Sequence, residues 1–143
     1  MYSALDVAKY VIWYSNKNKY SVSNLKLQKI LYFIQADFLV NRSKRCFVDI
    51  IEAWGLGPVV SHVYDEYKKY GSAEIPITGC EKAYTKIKND DQTRINKIVD
   101  KCSKYTASAL VAITHKQDPW KKAYEQYQNN EITIRSIKKY FAS

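Results

Sequence analysis

At 143 residues the chain is the size of one domain and can bury a core without disulfide or metal staples. With 46% apolar and 26% charged residues, its composition excludes a disordered or fibrous chain. The formal net charge of +9 is uneven, with ten Lys/Arg against seven Asp/Glu in residues 1–78 and thirteen against seven in 79–143. Such an excess attracts polyanions and acidic protein surfaces alike.

Four Gly and three Pro leave few chain breaks, which favours long helices. The three cysteines, Cys46, Cys80 and Cys102, are widely separated and fit a reducing compartment better than a disulfide framework or a zinc ribbon. The opening segment lacks a basic, cleavable leader pattern, and no apolar run reaches the ~20 residues of a membrane span. The expectation is a cytoplasmic protein without membrane contact.

In chain order, Ser3 and Asp6 stand in a capping-box relation at the start of a helix to about Asn18, with Leu5, Ala8, Val11 and Ile12 on its inner face. Ser23 or Asn24 caps a second helix running to about Arg42. Leu27, Ile30, Leu31, Ile34 and Phe38 form its core stripe, and Lys26, Lys29 and Asp37 lie on the opposite face. CFVDIIEAW predicts a short strand. Gly55-Leu56-Gly57-Pro58 breaks the chain, and Pro58 at a first helical position starts a third helix, VVSHVYDEYKKY, ended by Gly71. Residues 72–89 read as a loop with room for one short strand.

A fourth helix starts at Asp90 or Asp91 and turns Ile95, Ile98, Val99 and Cys102 inward. Thr106 caps a fifth, ASALVAITH. Asp118 caps another, with Pro119 in its first turn, continuing through KKAYEQYQ; EITI is a short strand, and Thr133 caps IRSIKKYF. The expected fold is therefore mainly α: one domain over residues 1–143, with about six to seven helices and one or two short strands.

No metal site is expected, because neither His62 nor His115 has a His or Cys at helical ligand spacing. His115 and Asp118 can be drawn as a general base and its orienter, yet no nucleophile signature or oxyanion loop accompanies them, and a histidine at a helix C-terminus commonly caps it. No catalytic residue and no cofactor is expected. G-L-G-P lacks the lysine and third glycine of a phosphate loop. Trp54 and Trp120 suit either a loop lock or an interface anchor. SVSNLKLQKILYF could serve as a DNA recognition helix, with Lys and Gln reaching phosphates and bases, but the same residues make an ordinary solvated face.

Four segments taken together, LKLQKILYF from Leu25, IEAWGLGPVV from Ile51, VYDEYKKYG, and THKQDPW from Thr114, resemble the Panacea domain, the SocA-like antitoxin family also labelled phage-associated GepA-like. Leu56 departs from a position that is often aromatic in that pattern. The resemblance implies a mostly helical antitoxin of a phage or mobile element that neutralises a cognate protein toxin by direct binding. One branch of the family delivers its toxin to a AAA+ protease, which is then a second partner. Motif positions Gln28, Tyr32, Gln35, Trp54, Gly57, Pro58, His115 and Trp120 become the candidate partner-binding residues, although the turns among them have structural reasons to be there. The alternative is a DNA-binding regulator of a phage-related operon, with nucleic acid as a secondary partner; toxin identity and oligomeric state stay open.

Overall fold

The chain winds its helices around one of their number. The computed structural model describes residues 1–142; the single-domain reading extends to residue 143, which lies outside them. Among the described residues are seven α-helices and three short strands: α1 (Ala4–Lys17), α2 (Asn24–Asn41), β1 (Ile51–Trp54), β2 (Gly57–Val59), α3 (Ser61–Tyr67), α4 (Asn89–Cys102), α5 (Ala107–His115), α6 (Asp118–Ala123), β3 (Glu131–Ile132) and α7 (Ile134–Ala142). Single 3₁₀ turns fill Lys68–Tyr70 and Ala83–Lys86. The fold is mainly α, as composition and periodicity predict.

Helix starts follow the expected chemistry. The side chains of Ser3, Ser23, Thr106 and Thr133 accept from the backbone N–H groups of Asp6, Lys26, Ala109 and Ser136, which the first turn of a helix otherwise leaves unpaired. Asp118 is not a cap: Gln117 precedes the first helical residue, and α6 stops at Ala123 because Tyr124 turns extended, short of the predicted KKAYEQYQ. On α1 the buried face is Ala4, Val7, Ala8, Tyr10, Val11 and Ile12, whereas Leu5 sits at its margin.

α2 packs against α1, α3, α4, α5, α7 and β2. Its predicted stripe of Leu27, Ile30, Leu31, Ile34 and Phe38 is buried, but so is most of the rest of its circumference. The opposite face is therefore not the solvated surface expected: Lys26 is 8% exposed and Lys29 fully buried.

The segment after Trp54 also differs. Pro58 does not open a helix. Gly57–Val59 is an edge strand, antiparallel to β1 with Ala53 opposite Pro58, and α3 begins only at Ser61. An edge strand tolerates proline because its missing N–H faces away from the ladder. The short strand predicted within CFVDIIEAW is Ile51–Trp54, while Cys46–Phe47 lies beside Tyr2. β3 completes the sheet on the far side of β1, in the order β2-β1-β3. Residues 72–89 hold a 3₁₀ turn rather than a strand, pinned by Ile75 donating to the Val22 carbonyl.

Candidate functional site

The motif segments, dispersed over ninety residues of sequence, meet at one corner of the fold. α2 supplies one wall, the β1–β2 hairpin the second and the α5–α6 turn the third. What joins them is a stripe of polar side chains on α2: Asn24, Gln28, Tyr32 and Gln35 are buried one above another, with Lys29 beside them.

Each of these side chains answers a group outside α2. Asn24 donates to the Tyr64 carbonyl at 3.1 Å and accepts from Gln28 Nε2 at 2.9 Å. Gln28 Oε1 in turn accepts from the Val60 N–H at 2.9 Å, at the start of α3. Lys29 Nζ donates to the Pro58 carbonyl at 3.1 Å. Tyr32 donates to Gln117 Oε1 at 2.8 Å, tying α2 to the α5–α6 turn. Gln35 accepts from the Cys46 and Phe47 N–H groups at 2.8 and 3.2 Å and donates to the Phe47 carbonyl at 2.9 Å. A buried backbone group without a partner is costly, and an amide side chain carries both donor and acceptor, so this stripe supplies the pairing that irregular segments lack.

Gly57 is fixed by the same packing. Its φ is +106°, and a Cβ there would lie 2.7 Å from Lys29 Cε and 2.9 Å from Thr114 Oγ1. Only glycine lets the hairpin approach α2 and α5 this closely. Burial lowers the Lys29 ammonium to about 7, and raises the Tyr32 phenol well above its ordinary range.

The outer layer of the corner is aromatic. His115 stacks on Trp120 with ring centroids 4.0 Å apart, and Trp120 stacks on Tyr124 at 4.6 Å. A His115 ring nitrogen bonds the Gly55 carbonyl at 2.9 Å, and Trp120 Nε1 donates to the Trp54 carbonyl at 2.7 Å, so both rings clamp the hairpin. Trp54 packs edge-on against Tyr64 and donates to Glu52 at 2.9 Å. Asp118 pairs with Lys122 at 3.7 Å, while the ring of His115 bonds the Gly55 carbonyl. The drawn base-and-orienter pair is thus replaced by a ring that locks a turn.

The eight candidate residues consequently divide in two. Gln28, Tyr32 and Gln35 are at most 1% exposed and Gly57 and Pro58 are buried, so in this conformation they shape the corner from inside. Trp54, His115 and Trp120 are half-buried and reach its surface, beside the exposed Gly55 and Leu56, the latter 59% exposed. Sequence reasoning missed Asn24, Lys29, Thr114 and Gln117. The signal available was that the polar residues of α2 are mostly neutral amides and a phenol, suited to buried hydrogen bonding, rather than the charges that fill a solvated face. Burial of Lys26, Gln28 and Lys29 also removes α2 as a DNA recognition helix.

Among the described residues no group of three His, Cys, Asp or Glu could hold a metal, and no helix is long and apolar enough to cross a membrane. Cys46, Cys80 and Cys102 are free and buried. Burial pushes the Cys102 thiol up to about 11 and raises the other two.

The motif segments of this helical domain thus converge on one locked, aromatic-faced corner. The family model described as Antitoxin SocA-like, Panacea domain matches residues 27–121, and the chain belongs to that family. It is 30% identical over 109 residues to the protein named Antitoxin SocA from Caulobacter vibrioides (strain NA1000 / CB15N), an alignment covering 69% of this chain and 58% of that protein. The chain thus spans little more than half the length of that relative. No solved structure matches the chain significantly.

Proposed function

We propose that this protein is an antitoxin that neutralises a cognate protein toxin by direct binding. The observation that carries the reading is the family match over residues 27–121, which includes all three walls of the corner. The polar stripe holds the hairpin and the α5–α6 turn rigidly, and a surface fixed before binding spends less free energy on ordering. Its outward rings, Trp54, His115 and Trp120, with Leu56 at the hairpin tip, form the contact surface. Lys116 and Lys121 are exposed beside it and steer an acidic partner toward it.

The test is co-expression with the product of the adjacent reading frame, scoring growth and co-purification. Rescue of growth with a stable complex is the expected result; a harmless neighbour and no complex would overturn the reading. The toxin's steady-state level separates occlusion from delivery to a AAA+ protease: occlusion keeps it constant, delivery depletes it in a protease-dependent way. Leu56→Asp, which changes an exposed side chain, should weaken binding about tenfold or more if the hairpin tip is in the interface.

A further inference from the structure

On another face of the molecule, α2, α4, α5 and α7 leave an open groove of about 490 Å³. Its walls are Phe33, Val40, Ile98, Leu110, Ile113 and Phe141, all but Leu110 only partly covered, and Tyr105 stands at its mouth 47% exposed. Asp37 is the one acidic residue in the lining, and it is already engaged. Arg94 holds it through two bonds of 2.8 and 3.0 Å, and Asn41 donates to it at 2.9 Å. Lys101 and Lys104, also in the lining, are exposed and belong to no ion pair among the described residues.

We infer that this groove is a second docking surface, and that it receives an apolar segment flanked by acidic residues from the protein partner. The inference rests on the antitoxin reading for the identity of that partner. Charge decides the occupant. The floor is apolar and its one carboxylate is neutralised, so the free charge is the pair of rim lysines, which an acidic flank would answer. A second copy of this chain is disfavoured, because two molecules of formal charge +9 repel one another. A small polar metabolite fits poorly, since such sites rely on a few convergent, buried polar groups, and here those groups bond one another.

The experiment titrates the full chain with the purified partner whose growth arrest it relieves, comparing wild type with K101E/K104E and with Ile113→Ser. The double charge reversal changes exposed side chains and keeps the fold intact. It should slow association about tenfold at low salt, and the difference should vanish near ~0.5 M salt. Ile113→Ser should raise Kd about tenfold by removing an apolar anchor. Rescue and binding equal to wild type in both variants would overturn the groove while leaving the antitoxin reading intact. A dimer of the free chain dissolved by Ile113→Ser would overturn it too, making the groove a self-contact. Failure of any neighbour to bind the wild type would remove both readings together.

Discussion

Two polar networks stabilise this molecule, and they are built on opposite plans. The one around α2 is buried and formally neutral apart from Lys29; its side chains mostly bond backbone groups of the hairpin and loops. The other fastens α4 to the outside of α1 and α2 with phenols, carboxylates and guanidiniums. Tyr2 and Arg42 share Asp91, Tyr10 meets Asn96 at 2.6 Å, Tyr14 and Tyr20 share Asp100 at 2.9 and 2.8 Å, and Arg94 grips Asp37. The inner network dictates where irregular backbone lies, and therefore shapes the candidate site. The outer one joins regular helices that apolar packing already places, so it should tolerate change far better.

The largest effect should come from Gly57→Ala. A methyl group at φ +106°, within 3 Å of buried Lys29 and Thr114 atoms, combines backbone strain with overpacking, and about 4 kcal/mol of destabilisation is expected in urea melts. Gln35→Ala should follow at about 3 kcal/mol, because it strands two N–H groups and a carbonyl in the core. If either variant were as stable as wild type, the inner network would not be what positions the hairpin and the Cys46–Phe47 segment.

Lys29 sharpens the contrast further. Its ammonium sits in the core with one carbonyl partner, and burial lowers it to about 7. The unfolded chain, with an ordinary lysine near 10.5, binds the proton more tightly. Stability from this group is therefore lowest below about pH 7 and rises as pH climbs from about 7 to about 10.5. Lys29→Met should flatten that rise and stabilise the protein by about 2 kcal/mol at pH 7, despite loss of a hydrogen bond. A steeper pH dependence in the variant would show that the lysine is not the group responsible.

How legible this was from sequence depends on whether the interaction is local. Caps at Ser23, Thr106 and Thr133 and the apolar stripe of α2 were readable because their partners lie within a turn or two of the same helix. Pro58 has the local signature of a helix start, but what makes it a strand residue, pairing with Ala53 and a carbonyl taken by Lys29, comes from other segments. The same holds for the polar stripe. Gln28, Tyr32 and Gln35 stand out as a set of neutral amides and a phenol suited to burial, but the partners of the two glutamines, at Val60, Cys46 and Phe47, lie in other segments and are not readable locally. For Trp54 and Trp120 the sequence suits either lock or anchor, and the structure gives them a locking bond while keeping them half-exposed.

The smallest effect belongs to the outer network, where Tyr14→Phe should cost about 1 kcal/mol or less. Tyr14 loses only its bond to Asp100, and Tyr20 still donates to that carboxylate. Its signature lies in alkali. Burial, together with the bond to Asp100, raises the Tyr14 phenol to about 12. The unfolded chain loses this proton near pH 10 and the folded chain only near 12, so the stability it contributes is complete below pH 10 and is lost between 10 and 12. That slope runs opposite to the one Lys29 produces. Urea midpoints measured from pH 6 to 11 should therefore rise and then fall in the wild type. Lys29→Met should remove the rise, and Tyr14→Phe should soften the fall without touching the rise. Loss of both limbs in one variant would mean that the two networks titrate as a single unit.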